Sequence, residues 1–214
     1  ALPILATLSL DFPEAHPRAA ARIAYFRGEL EQFLATAHGA GGDPFAPRGS
    51  YAGAMGLGQF MPTSWAQWAV DYDGDGRIDL FNSAADAIGS VANYFVAHGW
   101  KRDLPAYFQA QVTLGDPLLP ALLAPDILPS FSAAELQRGG VRLASDGGQY
   151  PGKLALIEFA NGSGGEPFYL AGTENFYAIT RYNWSSFYAL SVLELGAAVK
   201  AAHLRENQRQ TAAH

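Results

Sequence analysis

The 214-residue chain contains no cysteine. That absence excludes disulfides, thiolate catalysis, Cys-bound zinc and, in the sequence as it stands, a lipidated N-terminal Cys. Charge is sparse as well, at 16% of residues, and 14 Lys and Arg are outnumbered by 20 Asp and Glu. The resulting net charge of −6 and pI near 5.3 argue against a sequence-independent grip on phosphate backbones, so nucleic acid is not an expected partner. No run approaches 18 uninterrupted apolar residues, and no charged region leads into an apolar one at Ala1. Neither a transmembrane helix nor a signal peptide is expected within these residues. No GxSxG elbow, P-loop, HExxH or GxGxxG stands in a credible context, which leaves serine hydrolases, nucleotide enzymes and zincins without support. The histidines, at 16, 38, 98, 203 and 214, fall near helix ends or tails and lack ligand spacing.

What is present describes a globular chain, because 49% hydrophobic residues supply enough burial to offset the entropy of ordering. Ten Tyr and four Trp offer ring faces for stacking on sugars or bases, and equally the core and rim of a folded domain. The spacing of Ile23, Phe26, Leu30, Phe33 and Leu34 predicts a long amphipathic helix from His16 to His38, with Arg27, Glu29 and Glu31 on other faces. A Gly- and Pro-rich loop then delivers Ser50, and Pro62 opens a short helix carrying Trp65 and Trp68. Ser83 and Asp86 form an N-cap signal for a helix with Ile88, Val91, Ala92 and Phe95 on one stripe, Tyr94 at its edge and Gly99 at its end.

Prolines at 105, 117, 120, 125 and 129 predict an irregular stretch from Leu104 to Ser130, followed by a capping box at Ser132 and Glu135. Val141 to Leu143, Lys153 to Phe159 and Glu166 to Leu170 read as strands of a small antiparallel sheet, the last two joined through Asn161, Gly162, Ser163, Gly164 and Gly165. Asn183 or Ser185 then caps a terminal helix to about His203, before a polar tail expected to fray. The fold class is thus α+β and mainly helical. Its expected parts are 1–103 with the acidic loop 71–86, a mixed region 104–180, and the terminal helix and tail 181–214.

DYDGDGRIDLFN, from Asp71 to Asn82, reproduces the first half of an EF-hand loop: oxygen donors at positions 1, 3 and 5, glycine at 6 and an apolar residue at 8. Asp71, Asp73 and Asp75 alternate so that their carboxylates converge, Gly76 permits the sharp turn, and Arg77 contributes a backbone carbonyl. Ile78 is expected to pack inward. Asn82 replaces the bidentate Glu of position 12, and Asp86 on the next helix is the candidate substitute, with Asp79 direct or through water. A solvated acidic turn is the alternative. Calcium, if held here, is structural, tying two helices together.

No glutamate among 14, 29, 31, 135, 158, 166, 174, 194 and 206 has the apolar, glycine-bordered context that raises a carboxyl pKa for glycosidic acid catalysis. GSYAGAMGLGQF lacks the Lys and the preceding strand of a phosphate loop.

Three blocks in order, GSYAGAMGLGQFMPTSW, AVDYDGDGRIDLFNSAADAIGSVANYFVAHGW and NFYAITRYNWSSFYALSVLELG, together with ILATLSLDFP near the start, closely resemble the lytic murein transglycosylase B family over nearly the whole chain. The resemblance implies a lysozyme-like fold with a small β part, an EF-hand-like structural calcium site, and action on peptidoglycan in the Gram-negative periplasm. It implies cleavage between N-acetylmuramic acid (MurNAc) and N-acetylglucosamine (GlcNAc) without water or a catalytic cofactor. One glutamic acid protonates the glycosidic oxygen, and its carboxylate then takes the proton of the muramyl C6 hydroxyl as that oxygen closes onto C1.

By motif, the resemblance assigns substrate contacts to Ser50, Gln59, Tyr94, Tyr182, Asn183 and Tyr188, and metal contacts to Asp71, Asp73, Asp75, Arg77 and Asp86. Helix packing is the competing role for the tyrosines. In this family the acid glutamate lies upstream of the ALATL-like segment, so it is expected before Ala1, where any lipid anchor to the outer membrane would also lie. The chain by itself is expected to bind glycan weakly and to turn over little or nothing. The expected partners are glycan strands and other cell-wall enzymes. The rival reading is a non-catalytic glycan-binding or scaffold protein of the same fold; a two-carboxylate hydrolase using Glu158 or Glu174 is a third.

Overall fold

The structure is a computed structural model that describes residues 1–162 and 164–212. It divides into two compact units, Ala1–Ala97 and His98–His214. In the first, α1 (Leu2–Leu10) packs along α2 (Ala19–Ala40), and α3 (Pro62–Trp68) and α4 (Ala84–Ala97) follow. The core forms from Leu5, Phe26, Phe33 and Met55, with Leu2, Leu8, Phe12, Leu30 and Trp65 against it. The apolar run at the start is therefore a helix, and its Leu5 is wholly buried. Within α2 the expected stripe turns slightly: Leu34 is 44% exposed, whereas Glu29 is only 2% exposed. Glu29 stands three residues after Phe26 and four before Phe33, so helical geometry places it on their face whatever its charge.

The loop between α2 and α3 is held by antiparallel bridges of Met55 with Gly49 and Phe60. Gly56 has φ +72°, and a Cβ there would stand 2.6 Å from the carbonyl oxygen of Leu80. Only glycine permits that turn with the 80s backbone so close. At α4, Ser83 Oγ accepts the Asp86 N–H at 3.1 Å as expected, but the Asp86 carboxylate does not return to Ser83. It serves the preceding loop instead, because that loop aims several N–H groups at it.

The second unit holds a four-stranded antiparallel sheet in the order β2-β1-β4-β3. Its strands are β1 (Tyr107–Gln111), β2 (Arg142–Leu143), β3 (Ala155–Phe159) and β4 (Phe168–Gly172). Register runs from Ala155 opposite Gly172 to Phe159 opposite Phe168, whose rings stack at 4.9 Å. Within the expected connecting loop, Ser163 lies outside the described residues. Phe108, Leu122, Leu136, Val141, Leu154, Leu156 and Tyr169 make the core. The β1 strand corrects the irregular reading of 104–130. Five residues fit between Pro105 and Pro117, and β1 is stabilised by pairing with β2 and β4, which are remote in sequence.

The helices of this unit are α5 (Leu119–Leu123), α6 (Ala133–Arg138), α7 (Glu174–Thr180) and α8 (Ser186–Ala212). The reciprocal capping box of Ser132 and Glu135 forms as expected. Thr173 caps α7 by accepting the Asn175 N–H, and Asn175, wholly buried, clamps the strand of chain at Lys101 and Leu104 through three hydrogen bonds of 2.7–2.8 Å. Ser185 caps α8, accepting the Tyr188 N–H at 3.2 Å. Instead of fraying after Arg205, α8 continues to Ala212, supported by i,i+4 contacts of Asn207 with His203 and of Gln210 with Glu206. Although Glu194 and Lys200 interrupt its apolar residues, the Ser186–Thr211 stretch is long and apolar enough to cross a membrane by length and composition alone.

Candidate functional site: an amide-lined depression and an acidic loop

In the first unit, Arg48, Gly49, Ser50, Gly56, Leu57, Gln59 and Phe81 line an open depression of about 380 Å³. Ser50 sits at a tight turn, its Oγ accepting the N–H groups of Ala52 and Ala54, both at 3.2 Å. Gln59 has φ +51°, a left-handed conformation that a non-glycine residue adopts at a cost of about 1–3 kcal/mol and that clusters at functional sites. Its Nε2 donates to the Gly56 carbonyl at 2.9 Å, which fixes the amide. The Gly-rich block thus places one hydroxyl and one amide beside an aromatic ring, a set suited to a polar ligand with flat apolar faces.

Tyr94 is not on that lining; it is 8% exposed and packs against Phe60 at 6.0 Å and Trp68 at 6.5 Å. A more enclosed hollow of about 160 Å³, bounded by Phe33, Ala37, Met55, Trp65 and Phe81 among others, is almost entirely apolar. Sugar hydroxyls placed there would lose their hydrogen bonds to water without replacement.

In the acidic loop, Asp71, Asp73 and Asp86 each present a carboxylate oxygen within 4.8 Å of the others. Asp71 organises the turn, accepting Gly74 N–H at 2.7 Å and Gly76 N–H at 2.8 Å, with both glycines at positive φ. Asp86, 1% exposed, accepts Asp79 N–H at 2.9 Å and Tyr72 N–H at 2.8 Å, and those bonds lower its pKa. Asp75 instead accepts the Arg77 N–H at 2.8 Å and is not part of the three-carboxylate cluster. Asp79 is occupied by Asn82, whose side-chain hydrogen bond lowers its pKa. Ile78 corrects the expectation of inward packing: it is 45% exposed, and Leu80, fully buried, anchors the loop in its place. Among the described residues no Lys or Arg forms an ion pair with the three clustered aspartates. Converging, hard, anionic oxygen donors without a countercharge fit a divalent cation of the calcium type.

The remaining assigned residues belong to the second unit. Tyr182 is half-buried, Asn183 exposed, and Tyr188, at the start of α8, half-buried with its pKa raised by burial. Sequence reasoning missed what holds this turn. The Arg181 guanidinium lies between Tyr177 and Trp184, 4.6 and 4.2 Å from their ring centroids, and donates to the Tyr177 hydroxyl at 2.8 Å. The RYNW sequence itself was the available signal.

No glutamate lines the depression. Glu29 of α2 is buried against the start of α3, Glu158 accepts the Tyr169 hydroxyl at 2.7 Å, and Glu174 is held by Tyr150 and by Lys101 at 2.9 Å. At Glu174 burial raises the pKa, but the Tyr150 and Lys101 hydrogen bonds outweigh it and the net shift is downward, the wrong direction for a general acid.

Residues 1–197 match the Transglycosylase SLT domain family. The chain is 42% identical over 205 residues to membrane-bound lytic murein transglycosylase B of Escherichia coli K12, covering 95% of this chain and 52% of that protein. It therefore spans about half the length of the curated relative it matches. The calcium complex of the E. coli lytic transglycosylase Slt35 superimposes with a TM-score of 0.78 at 41% identity, covering 94% of this chain and 59% of that one. SltB3 of Pseudomonas aeruginosa, solved with NAG-anhNAM-pentapeptide, gives 0.67 at 32% identity, covering 89% and 48%. A mainly helical chain with a small antiparallel sheet, this glycine-rich loop and these matches have one explanation: the chain belongs to the transglycosylase SLT domain family, as a member similar to lytic murein transglycosylase B.

Proposed function

We propose that this chain carries the glycan-binding cleft of a peptidoglycan lytic transglycosylase, which cleaves the β-1,4 bond between MurNAc and GlcNAc and leaves a 1,6-anhydro ring. The observation that carries the reading is the depression holding Ser50 and Gln59 in a chain of this family. Gln59 donates to an N-acetyl carbonyl, Ser50 contacts a sugar hydroxyl, and Phe81 offers an apolar surface to a ring face. Tyr94 supports this wall from behind through Phe60. Within the second unit, Tyr182, Asn183 and Tyr188 are proposed as glycan contacts in their own right. Ground-state contacts of this kind orient the strand so that the muramyl C6 hydroxyl reaches C1.

The acid that protonates the glycosidic oxygen, and as carboxylate then removes the C6 hydroxyl proton, is proposed to be a glutamate outside these 214 residues. The support is that no glutamate here lines the depression. Calcium in the loop is proposed as structural, held by Asp71, Asp73 and Asp86, with Asp75 and the Arg77 carbonyl completing the oxygen set. It supplies positive charge that lets those carboxylates share one small volume. Its support is the acidic cluster and the calcium complex of Slt35. The periplasm follows as the compartment where the substrate lies, with glycan strands and other cell-wall enzymes as partners.

The test is to incubate the chain, in calcium, with purified peptidoglycan, measuring co-sedimentation and, by mass spectrometry, anhydromuramyl products. Binding without products is expected. Absence of binding overturns the proposal, and anhydro products from this chain alone would place the acid within it.

A further inference from the structure

The depression has one charged side chain in its lining, Arg48, and no carboxylate. Arg48 is exposed and forms no ion pair with any Asp or Glu among the described residues. Its neighbours across the depression, Ser50 and Gln59, are neutral and suited to hydroxyl and amide groups. A cation left without a partner at the edge of such a site is complementary to a ligand that is mostly neutral and carries an anion to one side.

The proposed substrate has that composition. Its sugar rings and N-acetyl groups are neutral, but each muramyl residue bears a lactyl arm ending in a carboxylate, either free or carried by the attached peptide. A planar guanidinium receives a carboxylate through two parallel N–H donors, which a Lys ammonium does not reproduce. Resting on the reading in Proposed function, we infer that Arg48 is a specificity-determining residue that binds a carboxylate of the lactyl-peptide arm, selecting muramyl strands over neutral polymers of N-acetylglucosamine.

Three oligosaccharide probes of equal length test this by calorimetric titration: a chitin-type oligosaccharide without carboxylates, a peptide-free muramyl strand with free lactyl carboxylates, and a peptide-bearing strand whose lactyl carboxyls are amide-linked. The chain is expected to bind at least one carboxylate probe about tenfold more tightly than the neutral one, a preference that fades as salt is raised. Arg48→Gln removes the preference by weakening the carboxylate probes towards the affinity of the neutral one, and Arg48→Lys restores part of it. Whichever carboxylate probe shows the preference identifies the source of the anion. If Arg48→Gln weakens all three probes alike, or changes none, the role of Arg48 is overturned while the glycan-binding reading stands. If no probe binds, that reading fails, and the role of Arg48 with it.

Discussion

Glu29 of α2 accepts two hydrogen bonds from a single residue, Thr63: the N–H at 2.9 Å on Oε2 and the hydroxyl at 2.7 Å on Oε1. Thr63 lies in the first turn of α3, where backbone N–H groups have no partner within the helix. The buried carboxylate therefore caps α3 from another helix and fixes the end of the glycine-rich loop that bears Ser50 and Gln59. Hydrogen bonds to charged groups contribute about 1.5–3 kcal/mol each, so Glu29→Ala is expected to cost about 3 kcal/mol in urea unfolding, and Glu29→Gln less. A cost below about 0.5 kcal/mol, within the range of ordinary surface substitutions, would show that the pair does not hold this junction.

Removing calcium is expected to lower the melting temperature. A site occupied at a hundred times its Kd adds about 2.7 kcal/mol, a shift of roughly 5–10 °C for a chain of this size. Asp86→Asn should abolish most of that shift, because Asp86 both joins the cluster and orders the loop through Tyr72 and Asp79. Scanning calorimetry with and without chelator decides it; identical melting curves would count against the metal.

Gly89 in α4 lies under Tyr72. A Cβ there would stand 2.4 Å from the Tyr72 ring and 2.5 Å from its Cβ, so the loop backbone has to shift as well as the ring. Gly89→Ala is expected to destabilise by about 1–3 kcal/mol and to weaken calcium binding in parallel. Unchanged calcium affinity in a destabilised variant would separate the loop from the helix.

Glu135 makes stability depend on pH in the acid range. The Ser132 hydroxyl first, then the Ser132 N–H and the Lys153 ammonium, lower its pKa from 4.5 to about 2. A folded value below the unfolded one stabilises the fold fully above about pH 4.5, and that contribution is lost as pH falls towards 2. The difference in melting temperature between the natural chain and Glu135→Gln should therefore be constant near neutrality and close across that window. A difference that persists unchanged to the bottom of the window would show that the capping box does not depend on charge.

Local patterns were legible in the residues themselves. The spacing of Asp71, Asp73 and Gly76 specifies a tight, oxygen-rich turn, and Ser132 with Glu135 specifies a helix start, because every partner lies within a few positions. The three sequence blocks sufficed for the family for the same reason: each keeps its own chemistry in a contiguous stretch. The strand β1 was not legible, since its stability comes from partners some 30 to 65 positions away. Nor was the role of Asn175 in α7, whose side chain clamps Lys101 and Leu104, more than 70 positions away.

By itself, then, the sequence determined the fold class, the acidic loop and the glycine-rich wall of the depression. Tertiary structure decided that Asp86 serves the loop instead of its own helix start, that Glu29 is buried against Thr63, that Tyr94 is buried against Phe60 and Trp68, and that Arg48 stands in the lining of the depression. Those outcomes depend on which distant backbone donors and side chains arrive at a given point, and spacing along the chain carries no measure of that.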